Sequence, residues 1–147
     1  MFVSQVVMAQ LPNIELVSLF IILTVCRFGA WAFLSVYVFV GCEIITYGLG
    51  IWSVNYLYVW ALLCLLVLPF RRVDKAWFYA LLSGGFGLCF GSLCSLPYFL
   101  TGGFAFGISY IVSGIGFDLL HAGGNFLLAL LLYRPLRDAL QKACKPN

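Results

Sequence analysis

Charge is what this sequence has least of. Only 9% of its 147 residues are charged and 64% are hydrophobic, whereas a soluble domain is about half apolar and a quarter charged. That excludes an ordinary water-soluble fold, and a mean hydropathy of +1.08 says the same. A net charge of +3 is too small to grip a phosphate backbone, so nucleic acid is not an expected partner. Histidine occurs once and no CxxC pair accompanies it, so a usual zinc set cannot be assembled and no cofactor is expected. The six cysteines (Cys26, Cys42, Cys64, Cys89, Cys94, Cys144) are scattered through apolar runs and read as small, reduced packing residues. The sequence has no GxxxxGK[ST] phosphate loop, which excludes ATP hydrolysis by that route. The start, MFVSQVVMAQLPN, lacks the basic region and cleavage site of a secretory signal.

What is there is a series of apolar runs with sparse punctuation. The expected fold is an all-α integral membrane protein: a six-helix transmembrane bundle forming one domain over residues 1–147. Residues 1–11 form a short first run ended by Pro12-Asn13, too short to cross a core of about 30 Å, so the first helix is expected to be short or truncated. Asn13 is a good N-cap, and Glu15 suits the first turn of the next helix. The stretch 14–49 is too long for one span. A turn at Arg27-Phe28-Gly29 divides it into helices of about 14–26 and 30–48 and removes Arg27 from the bilayer centre. GLGIWSVN at 48–55 is a turn, and a fourth helix follows to Phe70. RRVDK is a polar loop, and a fifth helix covers about 75–100. The connection TGGFAFGISYIVSGIGFD, with room for a short re-entrant helix, leads to a sixth helix starting near Asp118. With six spans, all eight basic residues fall on one side, including Arg27, Arg71, Arg72, Lys75, Arg134, Arg137, Lys142 and Lys145. The positive-inside rule then places both termini in the cytoplasm. Trp52, Tyr56, Tyr58, Trp60 and Tyr98 fall near the outer interface, Trp77 and Tyr133 near the inner one.

The polar residues outside the loops meet at one depth. Asp118, His121 and Asn125 are spaced i, i+3, i+7 and share a helix face. Glu43 lies two turns below the outer end of its helix. Asn55 and Tyr56 open the fourth helix just after Trp52. Ionisable groups within a membrane face the bundle interior or a wet cavity, and a few convergent polar groups among aromatics make a small-molecule site. Other readings stay open residue by residue. Asp118 also fits an N-cap, His121 a satisfied core histidine or a partner of Glu43, Asn125 an interhelical clamp, and Trp52, Tyr56 and Trp60 interface anchors. Gly87-x-x-x-Gly91 and Gly123-Gly124 are small faces suited to close packing, within the chain or against a partner.

LPNIELVSL (11–19), YGLGIWSVNYLYVW (47–60) and GIGFDLLHAGGNFLLALLLYRPL (114–136) resemble the substrate-binding S component of energy-coupling factor transporters. The most specific piece is Phe-Asp-x-x-His-Ala-x-Gly-Asn-Phe. The resemblance implies a multi-pass protein of the bacterial plasma membrane and no enzyme. It would be the subunit of a vitamin or vitamin-precursor importer that captures ligand from outside and docks on a membrane scaffold subunit carrying two ATPase subunits. The ligand site it implies contains Trp52, Asn55, Tyr56, Asp118, His121 and Asn125; depth and charge add Glu43. The chain departs from the family pattern at its start, where Ser4 and Met8 stand in place of a docking face of paired alanines. Two other classes remain. One is a small intramembrane enzyme using Glu43, Asp118 and His121 as acid–base groups. The other is a structural membrane partner whose polar groups satisfy one another.

Overall fold

The computed structural model of the chain describes residues 1–8 and 14–144. The Pro12-Asn13 break, the Asn13 cap and Lys145 lie outside the described residues. Among the described residues six α-helices form: α1 (Phe2–Val7), α2 (Val17–Phe28), α3 (Ala32–Tyr47), α4 (Ile51–Val67), α5 (Ala76–Cys94) and α6 (Leu96–Ala143). No strand occurs among the described residues.

Among the described residues four segments are long and apolar enough to cross a membrane: Val17–Tyr47, Ile51–Phe70, Ala76–Cys94 and Leu96–Ala143. The expected count of six spans is therefore not reproduced. The first run forms the six-residue α1, about 9 Å long, which cannot cross. The expectation that both termini share one side rested on six spans and is not supported by this count.

Local chemistry sets the breaks. α2 ends at Gly29, whose φ of 61° lies in the left-handed region where a side chain is disfavoured. A short tight turn, Gly29–Trp31, then starts α3. α3 ends at Gly48, φ 79°, a common way to stop a helix. α4 stops at a tightened turn, Leu68–Phe70, that contains Pro69. The chain reverses at Gly29. The end of α2 meets the start of α5, where the Cys26 thiol lies 3.1 Å from Tyr79 Oη. α3 then runs back until Tyr47 shares a hollow with Trp52. A Gly29→Ala methyl would run into the Arg71 guanidinium as well as straining φ. We expect it to lower unfolding stability in detergent by about 1–2 kcal/mol. Gly85→Ala, whose added methyl meets open space, should leave stability unchanged or raise it; equal behaviour of the two variants would contradict this account of the turn.

The largest departure from expectation is α6. No separate re-entrant helix precedes Asp118. The helix from α5 continues past a tightened turn at Ser95, breaks at Gly103 (φ 77°), and the chain returns as one helix from Phe104 to Ala143, about 60 Å long. α5 and α6 form an antiparallel hairpin whose register is fixed by successive contacts. Tyr79 stacks on Tyr133, Gly84 faces Phe126, Gly87 faces the His121 backbone, Gly91 meets Asp118 and Tyr98 stacks on Tyr110. The glycine stripe of α5 is thus occupied by the chain's own helix. Asp118 lies well inside α6 and is not an N-cap.

The core is lined by Val17, Ile21, Ile22, Val25, Val36, Val40, Val59, Leu63 and Val67, all essentially without exposure. Trp60 and Tyr133, read as interface aromatics, are buried in it at 2% and 1%. The outside is apolar too: Ile45, Leu49, Leu100, Phe104 and Leu131 are exposed, which suits lipid rather than water. At one end Arg27, Arg71, Arg72 and Arg137 surround a recess of about 180 Å³ with Asp74, and Arg137 bridges to Asp74 and Asp138. The opposite end carries Glu43, Trp52 and Asp118.

Candidate ligand-binding site

At the end away from the arginines, α2, α3, α4, α5 and α6 each place polar or aromatic side chains. The deepest polar cluster joins α2 to α6. Glu15 does not sit within the first turn; the helix begins two residues later, and the carboxylate caps it from outside. Glu15 Oε2 accepts the Ser18 N–H at 2.9 Å and Oε1 accepts the Ser18 hydroxyl at 2.6 Å. His121 Nε2 lies 3.2 Å from Glu15 Oε1. Asn125 Nδ2 donates to Ser18 Oγ at 3.1 Å. Burial opposes ionisation of Glu15, but the His121 and Ser18 contacts outweigh it and hold the carboxyl below its ordinary range.

The direction of each bond follows from the donor count. An ionised carboxylate only accepts, so His121 presents Nε2–H to Glu15. Ser18 has one hydroxyl proton and gives it to Glu15, so Asn125 can meet Ser18 only as a donor. That turns Asn125 Oδ1 and His121 Nδ1 away from the network, and both are buried with no partner.

An aromatic ladder leads outward from His121. Its ring packs edge-on to Phe90 at 4.7 Å between centroids. Phe90 lies 5.4 Å from Trp60, Trp60 lies 5.4 Å from Tyr56, and Tyr56 lies 5.3 Å from Trp52. Trp52, Tyr56 and Trp60 are spaced i, i+4, i+8 and form one stripe of α4. Trp60 Nε1 is buried without a partner. At the outer end Glu43, Tyr47, Trp52 and Tyr56 line a hollow of about 230 Å³, and Glu43 Oε1 is again buried and unpartnered.

Of the residues expected in the site, Glu43, Trp52 and Tyr56 share that hollow, while His121 and Asn125 join the α2 network. Asp118 shares their helix face but turns to α5, where Oδ1 accepts the Gly91 N–H at 2.9 Å. It borders a second hollow of about 470 Å³ with Phe90, Tyr110 and Phe117. Asn55 is buried elsewhere: Tyr58 Oη lies 2.9 Å from its Oδ1 and 2.6 Å from the Leu93 carbonyl, so Tyr58, not Asn55, ties α4 to the end of α5. A pairing of Glu43 with His121 is overturned, because the imidazole takes Glu15. Glu15, Ser18, Phe90 and Trp60 were missed. Trp60 was legible from its place on the Trp52–Tyr56 stripe. The partnership of Glu15 was not, since 106 residues separate it from His121.

Among the described residues no group of three His, Cys, Asp or Glu side chains could hold a metal ion. Comparison with known proteins gives no match to a family model, a curated protein or a solved structure.

Proposed function

We propose that this chain is the substrate-capturing membrane subunit of an energy-coupling-factor-type importer for a vitamin or vitamin precursor. In this reading it takes up a small flat polar compound from outside and delivers it through a scaffold subunit carrying two ATPase subunits. The arginine end faces the cytoplasm, as basic fringes do, and the Glu43–Trp52 end faces out.

One observation supports the reading above the others. Trp60 Nε1, His121 Nδ1, Asn125 Oδ1 and Glu43 Oε1 are all buried without partners along one aromatic ladder. Such groups are rare because each costs about 1–3 kcal/mol when unmatched. A bound compound that accepts from Trp60 and donates to Asn125 would satisfy them, and indole and phenol faces would hold a flat ring. A structural partner protein would have its polar groups satisfied within the chain.

Mass spectrometry of the purified protein should find one unmodified small molecule. Asn125→Leu, which removes an acceptor and fills its space, should weaken rebinding of that compound more than about tenfold, the effect of roughly 1.4 kcal/mol. If nothing copurifies and the variant changes no binding, the reading fails; a chemically converted product would point to the enzyme class.

A further inference from the structure

The hollow at Glu43 carries information about the charge of its occupant, and the inference rests on the importer reading. Glu43 is only 4% exposed, yet Oε1 meets no donor. The neighbouring walls are Tyr47, Trp52 and Tyr56, and Trp52 and Tyr56 stand edge to face at 81°, so their ring faces point in different directions around the space. A carboxylate beside aromatic rings is matched by a cation: the rings attract it through their quadrupoles and the carboxylate through its charge. The wider surroundings agree. Glu15, Glu43 and Asp118 are buried around the outer half of the bundle, while Arg27, Arg71, Arg72 and Arg137 all gather at the opposite end. An anionic ligand would find no lysine or arginine among the residues lining this hollow.

We infer that the hollow lined by Glu43, Tyr47, Trp52 and Tyr56 binds the cationic part of the imported compound, an alkylammonium or N-alkylated heteroaromatic group. The hollow's volume of about 230 Å³ accommodates one such group.

Calorimetry on the full chain in detergent tests this with matched probes: choline against its uncharged carbon isostere dimethylbutanol, and N-methylpyridinium against toluene. Each cation should bind at least tenfold tighter than its neutral twin. Glu43→Gln should remove that preference, and Trp52→Phe should weaken the cations several-fold while leaving the fold intact. Should Glu43→Gln fail to fold, loss of cation preference in Trp52→Ala carries the same test. Neutral twins that bind as well as the cations, or a preference unchanged in these variants, would overturn the inference. The two proposals fail separately. A copurifying compound that is neutral or anionic overturns the cation site and leaves the importer reading standing. Glu43-dependent binding of cations by a protein from which nothing copurifies supports the site and counts against the importer.

Discussion

His121→Ala should cost about 3 kcal/mol of unfolding stability in detergent, although it removes a single ring from a large apolar bundle. A buried carboxylate that loses a hydrogen-bonding partner is costly because its charge is stranded. Here the survivor is Glu15, whose Oε1 would keep only the Ser18 hydroxyl once the imidazole at 3.2 Å is gone. Glu15→Gln is the informative partner variant, since its amide oxygen can still accept the Ser18 N–H that caps α2. The double variant should cost less than the sum of the singles by about 1–3 kcal/mol, the signature of residues in one network. Additivity within about half a kcal/mol would mean that the two do not act together. His121→Ala should also reduce affinity for the copurifying compound at least as much as Asn125→Leu does, because it removes the edge packed on Phe90 as well as a polar atom. Affinity unchanged in a folded His121→Ala protein would remove the imidazole from the site.

Gly87→Leu should be more damaging still. A Cβ at this position would lie 2.9 Å from the carbonyl carbon and oxygen of His121 and 3.0 Å from the Ala122 nitrogen. These are backbone atoms of α6 and cannot rotate aside, so the two helices must part. Overpacking of this kind costs about 3 kcal/mol or more. The separation would also break the Gly91–Asp118 bond one turn away and the Phe90–His121 contact, so stability and ligand binding should fall together. Gly85→Leu on the same helix is the control, since nothing lies within 4 Å of its added carbon. Thermal unfolding midpoints that match between Gly87→Leu and Gly85→Leu would show that the hairpin contact is not as close as described.

Local signals in the sequence were read well where one residue decides the backbone. Arg27-Phe28-Gly29 pointed to a turn because a cation in mid-run and a following glycine favour one, and α2 does end there. The grouping of arginines at one end followed from the spacing of the apolar runs. The segment 101–118 misled because its five glycines, two serines and Asp118 resemble loop and cap residues. The helix runs through all of them except Gly103, the one residue that adopts a conformation outside it. Tyr58, Trp60 and Tyr133 illustrate a second limit. An aromatic near a span end reads as an interface anchor, but which way it points depends on the neighbouring helix, and Trp60 and Tyr133 turn inward.

By itself, the sequence determined that this chain is helical and apolar enough for a membrane, that breaks fall at 27–29 and 71–75, and which face of α6 carries Asp118, His121 and Asn125. Those properties depend on composition and on a period of 3.6 residues, both local. The tertiary structure alone decided that His121 takes Glu15 as its partner, that Asp118 is spent on Gly91, and that Glu43 keeps an oxygen unmatched beside Trp52. Hydrogen bonds reach only about 3 Å, so partners far apart in the chain are chosen by how the helices pack, and no spacing rule along one helix carries that information.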